Sequence, residues 1–128
     1  MILLDTHALV WWTLFPDNLS KKAKKICNEI ENNTAYISSI SIWEIGIKIK
    51  NKKMDIGMSI SDYVSKLYLM NTVEIIPVDE KIWMESLLLE WNNRDPADRV
   101  IVATAKLNNL PLLSKDTKIN QFYKKTVW

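Results

Sequence analysis

Short apolar runs alternate with helix-length stretches along this whole chain, and that alternation restricts the fold more than any other feature. The apolar runs are ILL (2–4), TAYIS (34–38), TVEIIPV (72–78) and LPLLS (110–114), with KTVW (125–128) as a last short candidate. Between them lie HALVWWTLF, stopped by Pro16, and KKAKKICNEIEN, capped by Ser20. ISIWEIGIKIK follows, opened by Ser38 and Ser39, then SISDYVSKLYLM, and EKIWMESLLLEW capped by Asp79. RVIVATAKLNN comes behind RDPAD, and TKINQFY completes the set. Strands separated by helices pair in parallel, because parallel neighbours need long crossover connections. The expectation is an α/β fold with a mostly parallel open sheet of roughly four or five strands, covered by helices on both faces. Ligands of such sheets gather at the carboxyl ends of strands. Asp5, after ILL, and Asp116, after LPLLSK, stand at such ends.

Composition removes most alternatives. A chain of 128 residues, 48% hydrophobic and 25% charged, suits one globular domain over residues 1–128 rather than a disordered segment. No run approaches the roughly 20 apolar residues of a membrane span. The leading MILLDTHALVWW has no basic region before its apolar residues, so neither a signal peptide nor a membrane role is expected. A single cysteine, Cys27, forms no internal disulfide and fits a reducing cytoplasm. One Cys and one His cannot build a structural zinc site, and two glycines cannot supply a Walker loop or a dinucleotide fingerprint. No serine sits in a nucleophile elbow that His7 could serve. A net charge of +2 says little about nucleic acid. Fifteen acidic residues remain, and carboxylates are the ligands that hard cations prefer.

Each prominent acid also has a structural explanation. In WNNRDPADRVIVATA, Asp95 suits a helix N-cap, Pro96 suits the first helical position, and Asp98 places a negative charge near the positive end of the helix dipole. Asp5 and Asp116 can each cap the helix that follows. In the helix holding Glu44, Ile40, Trp43 and Ile47 share one side, Ile42, Ile45 and Ile49 the other, and Ser41, Glu44 and Lys48 a narrow sector. This helix is expected to be buried nearly all round. Glu44 is then either a surface partner of Lys48 or a carboxylate aimed into a pocket.

Taken together, ILLDTHALVWW, SSISIWEIGIKIK, RDPADRVIVATA and LPLLSKD occur in order and at suitable separations. In combination they resemble the PIN-domain family, in particular the VapC-type toxins of toxin–antitoxin pairs, over essentially the whole chain. The resemblance implies a PIN-like three-layer sandwich. It implies divalent-metal-dependent cleavage of RNA, with Mg²⁺ or Mn²⁺ held by Asp5, Glu44, Asp98 and Asp116. Asp95 matches a subgroup pattern, yet its place before Pro96 favours shaping the helix start. The resemblance also implies a homodimer and a cognate antitoxin that wraps an apolar surface.

The residues make physical sense of that chemistry. Crowded carboxylates repel, which raises pKa values and opposes folding until a cation neutralises them. Asp5, Asp98 and Asp116 are expected to bind metal, with Glu44 as a further ligand or a base acting through water. Thr6 is a candidate to hold a carboxylate, and Arg99 or Lys115 to steady the phosphate. His7 could shuttle protons, though a lone His is more often packed or at the surface. Six tryptophans include candidates for stacking on RNA bases. Trp11 and Trp12 are adjacent in one helix and are not expected to face one core together. KKAKK and KIKNKK could track a phosphate backbone, or be solvated helix faces. Two rivals remain: a catalytically silent module that binds RNA or protein, and a phospho-accepting receiver domain. The latter would need paired acids after the first strand, where LLDTH supplies one.

Overall fold

The computed structural model describes residues 1–128, apart from the side chain of Glu31. Five strands form one all-parallel sheet: β1 (Ile2–Leu4), β2 (Ala35–Ser38), β3 (Val73–Ile76), β4 (Leu112–Leu113) and β5 (Thr126–Val127). Their order is β3-β2-β1-β4-β5, with Leu4 opposite both Ile37 and Leu113. Seven α-helices are seen among the described residues: α1 (Thr6–Leu14), α2 (Lys21–Asn28), α3 (Ser39–Lys50), α4 (Ile60–Tyr68), α5 (Glu80–Leu88), α6 (Pro96–Leu107) and α7 (Thr117–Phe122).

The period-two alternation of side chains along a strand divides the core in two. Ile2, Leu4, Ala35, Ile37 and Leu113 face one side and pack with Ala8 and Leu9 of α1, Ala23 of α2, Ile45 of α3, and Tyr63 and Leu67 of α4. Leu3 and Leu112 face the other side and pack with Ile82 of α5, Val100 and Ile101 of α6, and Ile119 of α7. The change of face follows from topology. The chain steps outward from β1 to β3, then crosses back to β4 on the far side of β1. With right-handed crossovers, reversing the direction of travel moves the connecting helices to the opposite face. The reversal makes the carboxyl ends of β1 and β4 the switch point, where open parallel sheets hold ligands.

Element ends follow the local chemistry. Ser20, Ser38, Ser59 and Asp79 each accept a backbone amide with the side chain at the start of α2, α3, α4 and α5. The helix expected over KKAKKICNEIEN is α only to Asn28 and tightens into a 3₁₀ turn over Glu29–Asn32. α5 stops at Leu88 instead of continuing to Trp91: the Arg99 side chain of α6 takes the Ser86 carbonyl that the Glu90 amide would use, and those of Leu89 and Trp91 as well.

Two sequence expectations are corrected here. α3 is not buried nearly all round: Ser41 and Ile45 are its buried residues, while Trp43 is 60% and Ile47 37% exposed. The helix has one face on the core, one on solvent and one on a cleft, so its apolar excess lies at the surface. Trp11 and Trp12 do both touch the same core cluster, each half-buried against its margin. A large indole reaches the core from the side of a helix as well as from its centre.

Candidate active site

Asp5 ends the central strand and is 6% exposed. Its Oδ1 accepts the Ala8 amide at 2.8 Å and caps α1. Asp116 follows β4, and its Oδ1 accepts the amides of Lys118 at 2.8 Å and Ile119 at 3.1 Å, capping α7. Asp95 caps α6 in the same manner, its Oδ1 accepting from Ala97 at 2.9 Å and Asp98 at 3.3 Å. All three caps use one oxygen of the carboxylate and leave Oδ2 outside the cap. Capping and ligand binding are therefore not alternatives at these positions, since different oxygens serve them.

Asp98 sits in the first turn of α6, with its Oδ2 accepting from Asn93 Nδ2 at 3.0 Å. Glu44 comes from the middle of α3. These five acids line one cleft of about 480 Å³, together with Thr6, His7, Trp11, Lys48, Ile101, Lys115 and Thr117. Glu44 and Lys48 form no ion pair among the described residues, where the pairs are Lys24–Asp17 and Lys106–Glu85.

The electrostatics are those of a crowded acidic cluster. Burial pushes the Asp5 carboxyl up to about 6, and the charges of Asp116 and Glu44 add to that. Hydrogen bonds from Ser114 and the Ala8 amide pull it part of the way back. Burial also pushes Asp98 up to about 6, opposed by the Asn93 hydrogen bond and reinforced by Asp95, Asp116 and Glu44. His7, at the rim, is held below its ordinary value by burial and by the Lys48 charge, against the pull of Glu44 and Asp116.

Among the described residues no three of these groups converge closely enough to enclose a bare ion. The donor set nevertheless fits a hard divalent cation. It consists of carboxylate oxygens, partly withdrawn from water and mutually repelling, and Mg²⁺ binds through a few carboxylates while keeping several waters.

Residues 2–125, which hold all of the fold's elements but β5, match the family model described as the PIN domain. The chain belongs to the PIN-domain family. The family is one of nucleases. This PIN domain is 24% identical over 119 residues to Ribonuclease VapC22 of Mycobacterium tuberculosis, covering 92% of this chain and 88% of that protein. Its fold is shared with a chain of a toxin–antitoxin complex from Klebsiella pneumoniae, at TM-score 0.67 and 23% identity, over 100% of this chain and 97% of that one. FitAcB from Neisseria gonorrhoeae is similar at TM-score 0.66 and 20% identity, over 98% and 93% of the two chains.

The supporting residues of this PIN domain divide into those at the cleft and those away from it. Arg99 does not reach the cleft. Its guanidinium donates to four backbone carbonyls, of Ser86, Leu89, Trp91 and Asn93, at 2.6–2.9 Å. Four of its five N–H donors are committed to backbone outside the cleft, whose lining does not include Arg99, so the expectation of a phosphate contact is corrected. Thr6 donates to Ser41 Oγ at 2.9 Å and ties α1 to α3 instead of holding a carboxylate. Lys115 lies in the cleft with its Nζ 5.6 Å from the Trp11 ring centroid. Trp11 also packs against His7 and Trp128. The lysines of KKAKK are exposed on α2, and of those in KIKNKK it is Lys48 that lines the cleft. Sequence reasoning overlooked Asn93 and Ser114, and placed Ser41 in the polar sector of α3 without its bond to Thr6. Ser114 was accessible to it, since it directly follows β4 and so shares the strand-end position of Asp5. Asn93 lies five residues before the acid it contacts, across a turn whose path the sequence does not give.

Proposed function

We propose that this PIN domain is a divalent-metal-dependent ribonuclease and the toxin of a toxin–antitoxin pair, acting as one catalytic domain over residues 1–128. The observation that carries the reading is the cleft at the switch point, lined by five carboxylates of which Asp5 and Asp98 are pushed up to about 6 by burial. Asp5, Asp98 and Asp116 are the residues that would hold Mg²⁺ or Mn²⁺, with Asp5 and Asp116 using the oxygens their helix caps leave over. The bound ion would supply neutralisation of phosphate charge and a more acidic water. Glu44 caps no helix, and its carboxylate serves either as a further ligand or as the acceptor of a proton from the attacking water. Lys48 and Lys115, both in the cleft, offset the negative field that would otherwise repel an RNA backbone.

The similarity to a chain of a toxin–antitoxin complex and to FitAcB supports a protein partner. So does the exposed apolar surface of α5, where Trp83, Met84, Leu87 and Leu88 face outward. Apolar faces of this kind mark interaction sites, and a second copy and an antitoxin are the expected occupants. No helix is long and apolar enough to cross a membrane among the described residues. The proposed site of action is the cytoplasm.

The test is cleavage of total RNA with mapping of the new ends, for wild type and Asp98→Ala, in Mn²⁺, Mg²⁺ and EDTA. Discrete ends that need metal and vanish in the variant are the expected result. RNA binding without new ends, by folded protein free of antitoxin, would move the assignment to a silent binding module.

A further inference from the structure

We propose that Asn93 is a positioning residue that aims the Asp98 carboxylate, and that Arg99 holds the loop carrying it. The inference rests on the metal reading of the cleft and adds the support that reading lacks. The Asn93 side chain makes two hydrogen bonds of opposite polarity. Its Oδ1 accepts the Asp95 amide at 3.0 Å, and its Nδ2 donates to Asp98 Oδ2 at 3.0 Å. A backbone N–H can only donate, so the carboxamide oxygen must face Asp95 and the NH₂ must face Asp98. One side chain thereby fixes the turn into α6 and, three residues beyond the bonded Asp95 amide, selects the carboxylate oxygen of Asp98 that is tied down. The other oxygen of Asp98 is the one left to the cleft.

Asn93 is in turn held through its own carbonyl. Arg99 Nη1 donates to Asn93 O at 2.9 Å and to Trp91 O at 2.6 Å, while Nη2 reaches Leu89 O at 2.8 Å and Nε reaches Ser86 O at 2.9 Å. These carbonyls come from the last turn of α5 and the segment after it, which has no regular hydrogen-bond ladder of its own. A planar guanidinium can serve several acceptors in fixed directions, and an ammonium cannot reproduce that fork. The order of support runs from Arg99 to the 89–93 segment, from Asn93 to Asp98. Groups of this kind orient metal ligands, and losing one costs about 10–100-fold in metal affinity.

The experiment is calorimetric titration of Mn²⁺ into the full chain, for wild type, Asn93→Ala and Arg99→Lys, beside melting temperatures in EDTA. Asn93→Ala is expected to weaken Mn²⁺ binding about tenfold or more while melting near wild type. Arg99→Lys is expected to lower both quantities. Asn93→Ser keeps an acceptor close to the Asp95 amide and gives the same comparison if the alanine variant does not fold. Saturable wild-type binding with equal affinity in the Asn93 variant would overturn this inference and leave the metal reading standing. Absence of saturable binding by wild type would overturn both.

Discussion

Asp5 carries opposed demands on one carboxylate. It caps α1 through Oδ1 and sits nearly dry at the end of the central strand, among other acids. Its folded-state value of about 6 lies above the ordinary 3.8, so the folded chain holds this proton more tightly than the unfolded chain. The stability linked to that proton is fully present below about pH 3.8 and is lost as pH rises through about 6. At neutral pH the ionised group costs about 3 kcal/mol relative to its protonated form, at 1.36 kcal/mol per decade. Metal-free protein should therefore melt at a higher temperature near pH 5 than near pH 7.5, as differential scanning calorimetry in EDTA will show. Asp5→Asn keeps a capping oxygen and removes the charge, so it should raise the melting temperature near pH 7.5 and flatten that part of the pH profile. Asp98, likewise pushed up to about 6, acts with the same sign. At this scale the aspartates were legible in the sequence because strand ends and helix starts mark them, and Glu44 because it falls in the one polar sector of α3. What was not legible is that each cap uses a single oxygen. Residue type and spacing pose capping and ligand binding as rivals, and only atomic positions separate the two oxygens.

Helix ends carry most of the site, and they make the roles of its acids separable. Asp95 holds two amides of α6 and stands before Pro96, which supplies the first helical position without needing a partner for an N–H. Asp95→Asn should leave stability within a few tenths of a kcal/mol and preserve most cleavage, whereas Asp95→Ala should cost about 1 kcal/mol in urea unfolding. Severe loss of cleavage in the stable Asn variant would instead make Asp95 a ligand. The elements themselves were readable from apolar period and caps, down to Ser20, Ser38 and Asp79. The errors have identifiable physical causes. α5 ends early because Arg99 Nε, thirteen residues on, takes the Ser86 carbonyl that the Glu90 amide would need to continue the helix. α3 was read as buried nearly all round because its apolar residues leave only a narrow polar sector, yet Trp43 and Ile47 lie at the surface. An apolar residue awaiting a partner has the same sequence signature as one in the core.

At the scale of the whole molecule, one topological reversal assembles the site. Stepping from β1 out to β3 and returning to β4 places α1–α4 on one face and α5–α7 on the other, and opens the cleft where the two halves diverge. Asp5 and Glu44 come from the first half, Asp95, Asp98 and Asp116 from the second. The alternation of strands and helices told of a parallel sheet, but not of the order β3-β2-β1-β4-β5, because local pattern holds no record of which strand pairs with which. A divalent ion bound between the halves should stabilise the whole fold by mass action, about 2.7 kcal/mol at a hundred times its dissociation constant. Melting temperature should accordingly rise with Mn²⁺ near pH 7.5 and respond little near pH 5, where Asp5 and Asp98 take up protons instead. The most direct test of the account sets stability against activity in one variant: the metal-free melting temperature near pH 7.5 and the rate of Mn²⁺-dependent RNA cleavage, for wild type and Asp5→Asn. The account predicts a variant that melts higher and cuts about a hundredfold or more slowly. An Asp5→Asn protein that cuts at the wild-type rate would contradict it.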